Sequence, residues 1–313
     1  MYIDSKTRRW KTICGFSASA QKVPHLQTKR ALKNPRTPIG FPNPPCIPPS
    51  SASSQVNLHV TTLATTDSSR TLVAIPARWG STRFPGKPLH LIAGKPLVQH
   101  VWERCQECKE IDDVIIATDD ARIAEAATVF GAKFVLTAPE HPSGTDRIAE
   151  AANSFPDHRV IINVQGDEPL ISPALIDELA RTLRDDLSVR MITAAAPIHD
   201  PAQISDPNVV KVIFDTKGDA LYFSRSPLPY VRNPEAWPRS YRHLGIYGFQ
   251  RSFLFQFVAW PPSRLEQTES LEQLRALENG SRIRVVLTDE LSPGVDTPEQ
   301  ADAIEKHLQK QSC

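Results

Sequence analysis

No stretch of this 313-residue sequence approaches the ~20 consecutive apolar residues that a bilayer-spanning helix requires. Helical membrane proteins are thereby excluded, and a soluble, cytoplasmic protein with no membrane partner is expected. Cysteine is scarce as well. The five that occur, Cys14, Cys46, Cys105, Cys108 and Cys313, are odd in number and widely scattered, so they make no disulfide framework. Cys105 and Cys108 have CxxC spacing, but no second ligand pair accompanies them, and they read as small buried side chains on one helix face. Internal repeats are absent. So are a Walker A motif and GxGxxG, the commonest nucleotide-binding signatures.

Net charge is nearly absent too, at +1, but that balance conceals two unlike segments. Residues 1–70 carry ten Lys or Arg against two Asp or Glu, a charge of +8, and the rest of the chain carries −7. The same segment holds eight of the 28 prolines, including Pro42, Pro44, Pro45, Pro48 and Pro49, with abundant Ser and Thr. Such a composition buries too little apolar surface to offset the entropy of ordering, so a disordered Pro/Ser-rich basic extension is expected. Arg8-Arg9 resembles part of a twin-arginine signal, and the leader as a whole resembles a transit peptide, yet no adequate apolar h-region follows. A disordered extension or a misplaced start site is the plainer reading. For the acidic remainder, nucleic acid is not an expected partner, because −7 repels a phosphate backbone.

What is present begins near residue 71. Leu72 to Ile75 is too short for a helix and fits a buried parallel strand. From its carboxyl end runs Pro76-Ala77-Arg78-Trp79-Gly80-Ser81-Thr82-Arg83-Phe84-Pro85-Gly86-Lys87-Pro88, at the edge where open α/β sheets bind ligands. Arg78, Arg83 and Lys87 concentrate positive charge there, two glycines allow close backbone approach, and the prolines restrict the loop before any ligand arrives. Five residues separate Gly80 from Gly86, where a Walker A loop has four, and Pro88 replaces its Ser or Thr. In isolation the loop reads equally as a polyphosphate cradle or a solvated turn.

Strands and helices then alternate. Pro96 to Cys108 is expected as a helix, Val114 to Ala117 as a strand, Asp120 to Phe130 as a helix capped by Asp119 and stopped by Gly131, and Phe134 to Leu136 as a strand. Thr145 to Asn153 reads as a short helix, Val160 to Val164 as a buried strand and Pro173 to Arg184 as a helix. This βαβ series implies an α/β fold with a mostly parallel sheet and helices on both faces. Past Met191 the rhythm changes: Val209 to Phe214 and Ala220 to Ser224 read as a hairpin, and His243 to Phe249 as a further strand. This small antiparallel insert, about 205–250, is expected to serve as a lid or a dimerisation surface. Glu266 to Leu277 reads as one amphipathic helix, Ile283 to Leu287 as a strand, and Pro298 to Leu308 as a helix opened by the capping-box pattern Thr297-Pro298-Glu299-Gln300.

Asn163-Val164-Gln165-Gly166-Asp167-Glu168-Pro169 sets acids just past a buried strand, at the same sheet edge as the loop. Mg²⁺ favours carboxylate oxygens and keeps phosphate oxygens among its ligands, so Asp167 is a candidate metal ligand, with an acidic turn as the alternative. Asp296, in Gly294-Val295-Asp296-Thr297-Pro298-Glu299, is a second candidate. Its alternative is a helix-end charge worth at most ~1 kcal/mol.

Taken in order, the loop from Pro76 to Pro88, Ala117-Thr118-Asp119, Ser143-Gly144-Thr145-Asp146-Arg147, Asn163 through Pro169, Tyr222-Phe223-Ser224-Arg225, Arg242 through Gly248, Leu271 through Arg275 and Gly294 through Glu299 form a specific set. Over about residues 71–309 the chain resembles the 3-deoxy-manno-octulosonate cytidylyltransferase, or CMP-Kdo synthetase, family. The resemblance implies a Rossmann-like three-layer nucleotide-diphospho-sugar transferase fold in a 71–313 domain. It also implies transfer of CMP from CTP to the sugar acid Kdo, with release of pyrophosphate, for lipopolysaccharide biosynthesis by a Mg²⁺-dependent homodimer. By the same resemblance, Pro76, Ala77, Arg78, Ser81, Arg83, Lys87, Thr118, Ser143, Gly144, Thr145 and Gln165 bind the nucleotide. Arg78, Lys87 and Asp167 are the implied catalytic groups, and Asp167 and Asp296 the implied metal pair. The sugar-acid pocket is implied to comprise Arg147, Gln165, Arg225, His243, Tyr247, Glu272 and Gln273. Trp79-Gly80 and Phe84 depart from the family pattern, which has Tyr-Ala and Leu.

From the residues alone, other readings stay open: His243 as a structural strand histidine, Tyr247 as packing, and Glu272 paired with Arg275 at i+3. The loop and acids also suit cytidylyl transfer to a sialic acid or an amino analogue of Kdo, or a non-catalytic nucleotide or sugar binder. Transfer to a sugar 1-phosphate usually goes with a GxGxRxxPxxK loop, which this chain lacks. A chain starting at Thr66 is expected to keep the thermal midpoint and kcat/KM of the full sequence; a fall of several degrees, or about a tenfold loss of activity, would show that the extension docks on the enzyme.

Overall fold

Strand β1 (Arg70–Ala77) sends Leu72 and Ala74 into one buried apolar cluster and Val73 and Ile75 into another. That is the pattern of a strand covered by helices on both sides. The computed structural model describes residues 70–80, 84–233, 240–290 and 292–311, all within one unit that spans Thr61–Cys313. The extension expected over 1–70, apart from Arg70, and the loop residues Ser81 and Arg83 lie outside the described residues.

After β1 come a 3₁₀ turn (Lys87–Leu89), the short strands β2 (Leu91–Ile92) and β3 (Lys95–Pro96), α1 (Leu97–Gln106) and β4 (Asp113–Thr118). Next are α2 (Ala121–Val129), β5 (Lys133–Leu136), α3 (Gly144–Ala152), β6 (His158–Asn163), α4 (Pro173–Asp185) and β7 (Met191–Pro197). The later part holds α5 (Pro201–Ser205), β8 (Lys211–Phe214), β9 (Ala220–Ser224), β10 (Tyr241–Gln250), α6 (Arg251–Ala259), α7 (Arg264–Glu269), α8 (Leu274–Glu278), β11 (Arg284–Leu287) and α9 (Pro298–Gln311). The main sheet runs β11-β7-β10-β6-β1-β4-β5, with β8 and β9 attached beside β10. Helices α1, α2 and α4 supply one buried cluster and α3, α6 and α8 the other, which makes three layers. Local chemistry sets the helix starts: Ser143 accepts from the Thr145 and Asp146 amides at α3, and Ser172 accepts from the Leu175 amide at α4 with Pro173 in the first turn.

The α/β alternation expected from the sequence is present, with several differences, among them β7 and α5, which the sequence reading did not assign. Asp120, not Asp119, caps α2, because its side chain accepts from the Arg122 amide and Asp119 is engaged by Arg147. The single helix expected over Glu266 to Leu277 breaks at Ser270, where φ is 52°, because Arg225 draws the Glu269 and Ser270 carbonyls out of line at 2.8 and 3.4 Å. β8 and β9 form the expected hairpin, but the strand grouped with them, β10, sits inside the main sheet, antiparallel to both β6 and β7. α6 escaped the sequence reading because Phe253, Phe255 and Phe257 alternate like strand residues. Cys105 is buried in α1, but the helix ends at Gln106 and half-buried Cys108 lies beyond it, so the two do not share a helix face; burial together with Asp177 pushes the Cys108 thiol up to about 12, and neither is a reactive thiolate.

The position of β10 depends on Gly248. A Cβ there would lie 2.7 Å from side-chain carbons of Ile192 and Leu183 and 2.9 Å from one of Ile162. Gly248→Val is expected to cost about 1–3 kcal/mol through overpacking and to lower the thermal midpoint by several degrees. An unchanged midpoint would mean that those three neighbours move aside freely.

Candidate active site

Gly166 allows two strand ends to cross. A Cβ at this position would lie 2.8 Å from the Pro76 carbonyl oxygen, so glycine lets the chain leaving β6 pass the end of β1 and carry Gln165 and Asp167 to the loop. The Asp167 carbonyl accepts from the Val295 amide at 2.9 Å, which draws in the segment ahead of α9. There Gln300 Oε1 accepts from the Asp296 and Thr297 amides at 2.6 and 3.1 Å, and Thr297 Oγ1 accepts from the Gln300 amide at 3.4 Å, a reciprocal cap of the expected kind. Lys87 closes the arrangement. Its Nζ donates to Asp167 Oδ2 at 2.6 Å and to Asp296 Oδ1 at 3.1 Å, so one ammonium bridges two carboxylates from distant segments.

The loop is clamped from within. Gly86 has φ 69° and packs on the Trp79 ring, 2.8 Å from where a Cβ would stand, and its amide donates to the Trp79 carbonyl at 3.2 Å. The Arg122 guanidinium covers the same ring at 3.4 Å from its centroid. The tryptophan that departs from the family pattern is thus held on two sides.

Pro76, Ala77, Arg78, Lys87, Ser143, Gly144, Arg147, Gln165, Asp167 and Asp296 line one cavity of about 280 Å³, together with Pro88, His141, Pro142 and Gly166. The strand order β6-β1-β4-β5 lays this cavity along the carboxyl edge of the sheet. Asp167 lies past β6, Arg78 past β1, and Arg147 over β4 and β5, where its guanidinium donates to Asp119 Oδ2 at 3.0 Å and Thr137 Oγ1 at 2.5 Å. Arg147 therefore stands at the opposite end from the other residues expected in the sugar-acid pocket. Thr118 is fully buried, and its hydroxyl accepts from the Asp120 amide at 3.2 Å, which ties it to the start of α2.

On the far side of β6, Thr145, Tyr247, Glu272 and Gln273 meet around a narrow cleft with Met191, Phe249 and Phe257. Glu272 accepts from Thr145 Oγ1 at 3.1 Å and contacts Ser143 Oγ at 3.1 Å, a hydroxyl that also lies 2.7 Å from Asp146 Oδ2. Arg275 is engaged instead by Glu266, at 2.8 and 2.5 Å, so the i+3 pairing does not form. Burial pushes the Glu272 carboxyl up to about 7, and burial with the charge of Asp167 pushes Glu168 up to about 8. Gln273 Nε2 is buried without a hydrogen-bond partner. His243 lies 5.4 Å from the Tyr247 ring, and desolvation pulls its pKa down to about 3, so it is neutral. Thr193 Oγ1 donates to the Ile246 carbonyl at 2.7 Å, so in its 2.8 Å contact with His243 the ring Nε2–H is the donor. This leaves Nδ1 of His243 as an acceptor. Arg225 is committed to backbone, donating to the carbonyls of Glu269, Pro207 and Ser270 at 2.8, 2.9 and 3.4 Å.

Two residues of the cavity neighbourhood escaped the sequence reading. His141 lines the cavity and its Nε2 contacts Glu150 Oε2, which also accepts from the Ala138 amide at 3.0 Å. Their only sequence signal is the place of His141 just ahead of the Ser143 cap.

The raised Glu272 pKa has a measurable sign. Between about 4.5 and about 7 the folded chain binds this proton more tightly than the unfolded chain, so the contribution to stability is full below about 4.5 and is lost as pH rises through 7. Glu272→Gln removes the charge and keeps an acceptor for one hydroxyl, while the other hydroxyl turns to accept from the new amide. At pH 8 the variant is expected to be more stable than its parent by about 1–2 kcal/mol, with the gap closing at pH 5. Thermal melts across that range check this, and a variant that melts lower at pH 8 contradicts it.

The sequence profile of the family described as cytidylyltransferase matches residues 72–283. A 3-deoxy-manno-octulosonate cytidylyltransferase of Marinobacter nauticus is 48% identical over 256 residues, covering 76% of this chain and 97% of its own. The protein of the same name from Pseudomonas syringae pv. syringae is 51% identical over 249 residues, with 76% and 97% covered. The solved structure of CMP:2-keto-3-deoxy-manno-octonic acid synthetase complexed with CTP aligns at a TM-score of 0.75 with 42% identity, over 77% of this chain and 99% of that one. A cytidylyltransferase from Leptospira borgpetersenii serovar Hardjo-bovis shares the fold alone, at TM-score 0.54 and 16% identity over 77% and 87% of the two chains. Identity near one half along three quarters of the sequence, on an edge that gathers the loop, the aspartate pair and the β10 cleft, means that the chain belongs to the 3-deoxy-manno-octulosonate cytidylyltransferase family.

Proposed function

We infer that the protein transfers CMP from CTP to 3-deoxy-manno-octulosonate, releasing pyrophosphate and supplying activated Kdo for lipopolysaccharide. One observation carries the reading: the order of groups along a single sheet edge. Loop cations follow β1, the Asp167–Asp296 pair stands at β6, and the cleft with Tyr247, Glu272 and Gln273 lies beside them on β10. A nucleotide laid along the cavity reaches Asp167, and the neighbouring β10 cleft, too narrow for water in this structure, opens to admit the acceptor sugar.

The reaction is an in-line displacement. A bond forms between the anomeric oxygen of the sugar and the α-phosphorus as the bond from that phosphorus to the pyrophosphate oxygen breaks. Arg78 and Lys87 hold the triphosphate, and positioning with electrostatic stabilisation supplies most of the rate. Gln165 sits at the junction. Nδ1 of His243 accepts from a sugar hydroxyl, with Tyr247, Glu272 and Gln273 around it. Arg225 supports the pocket from behind by holding the turn from which Glu272 and Gln273 project.

Asp167 and Asp296 suit a Mg²⁺ ion. Their oxygens already flank one cation, the Lys87 ammonium, at 2.6 and 3.1 Å. Mg²⁺ takes one or two carboxylates and completes its shell with water and substrate phosphate. Among the described residues there is no cluster of three or more His, Cys, Asp or Glu suited to a metal, which favours an ion that enters with the nucleotide. When bound, Mg²⁺ neutralises charge on the phosphates and acidifies a coordinated hydroxyl. Lys87 exchanges its carboxylates for phosphate oxygens as the nucleotide enters. A homodimer and a cytoplasmic location belong to the same reading.

Incubation with CTP, Kdo and Mg²⁺ is expected to yield CMP-Kdo and pyrophosphate, and EDTA to stop it. Asp167→Asn and Asp296→Asn should each lower kcat at least ~100-fold while leaving the fold intact. Equal turnover in EDTA would overturn the metal assignment, and turnover of sialic acid in place of Kdo would overturn the sugar assignment.

A further inference from the structure

We propose that His141, held by Glu150, reads the base of the nucleotide and makes the enzyme prefer CTP to UTP. The proposal rests on the cytidylyltransferase reading above and adds to it the residue that selects the base.

Position comes first. Neighbouring strands lie about 4.8 Å apart, so the cavity from β6 across β1 and β4 to β5 extends roughly 14 Å along the sheet edge, enough for an extended nucleoside triphosphate. Charge orients the ligand within it. Arg78 and Lys87 follow β1, and Asp167 and Asp296 mark β6, so the triphosphate belongs at that end. The base then falls over β4 and β5, where His141, Pro142 and Arg147 are the lining residues.

The hydrogen-bond chemistry of that end follows from Glu150. An ionised carboxylate only accepts, and Glu150 receives both the Ala138 amide, at 3.0 Å, and Nε2 of His141. The His141 proton is therefore fixed on Nε2, and in the neutral ring Nδ1 carries a lone pair. No hydrogen bond to Nδ1 occurs among the described residues, and this nitrogen is not among the enclosed polar atoms that lack partners. It is an open acceptor in a side chain that remains 20% exposed.

Cytosine and uracil differ at ring position 4, where cytosine presents an amino donor and uracil a carbonyl acceptor. An acceptor on the protein bonds the first and sets lone pair against lone pair with the second. The neighbouring groups do not supply this function. Arg147 is a donor and is committed to Asp119 and Thr137. Asp119 Oδ1 has no partner, but it is enclosed beside that same arginine and out of reach of a ligand in the cavity. Among the polar side chains at this end, His141 is the one whose acceptor is open.

Initial rates with CTP and with UTP, at fixed Kdo and Mg²⁺, test the proposal in the full chain, in His141→Phe and in Glu150→Gln. The wild type is expected to favour CTP. His141→Phe keeps the ring volume and removes the acceptor, and should lower the ratio of kcat/KM for CTP to that for UTP by about tenfold or more, with KM for Kdo unchanged. Glu150→Gln loosens the hold on the Nε2 proton and should lower the same ratio by a smaller factor. Each ratio is measured within one protein sample, so partial misfolding cancels. An unchanged ratio in His141→Phe overturns the proposal and leaves cytidylyl transfer standing. A wild type that uses CTP and UTP alike, or that forms no CMP-Kdo, overturns the reading beneath it and the proposal together.

Discussion

Two carboxylates delivered to the same place by different parts of a chain repel one another unless a cation stands between them, and here Lys87 is that cation. The contact joins the turn after the loop, the end of β6 and the segment leading into α9. Each of those pieces has its own local reason for its shape: the Gly86 turn packed on Trp79, the close passage at Gly166, and the cap between Thr297 and Gln300. The ammonium makes them one site. Removing it would take away the cation that both Asp167 and Asp296 contact.

Much of the cavity beside the loop is legible in the sequence, because it is built from local rules. Apolar runs that become β1, β4 and β6 are each followed by polar residues that stay at the sheet edge, so Arg78 and Asp167 are found by asking what comes after a buried strand. Helix caps and the final capping pair are equally short-range. The β10 cleft is harder to read because its residues depend on contacts far apart in the chain. Glu272 has a natural partner in Arg275 by spacing, yet Ser143 and Thr145 claim it across the cleft. The break at Ser270 is likewise set by an arginine on another element. α6 carries an aromatic alternation that imitates a strand, and only its packing beneath the sheet makes it a helix.

Desolvation divides the site into two electrical regimes. The cavity beside the loop is open and carries compensated charge, with Lys87 set between its two acids. The β10 cleft is dry, which is why Glu272 and Glu168 hold their protons near neutral pH while His243 refuses one. A polyanion and a hydroxyl-rich sugar acid are thus offered surroundings of opposite kind within one edge of one sheet.

The placing of β10 also bears on how the chain comes to be folded. β6 is complete at Asn163 and β7 at Pro197, but they do not pair with each other; each pairs with β10, which begins only at Tyr241. While the chain emerges from the ribosome, β6 therefore waits with one backbone edge unsatisfied and β7 with both, because its other partner, β11, comes later still; the apolar run from Val160 to Ile162 lies along the first of them. An open, apolar edge is the feature by which nascent chains mispair with one another. The wall that β10 gives the cleft is thus also the strand that joins β6 to β7, so a chain released before Tyr241 lacks more than a binding site: β6 is left with one open edge and β7 with two.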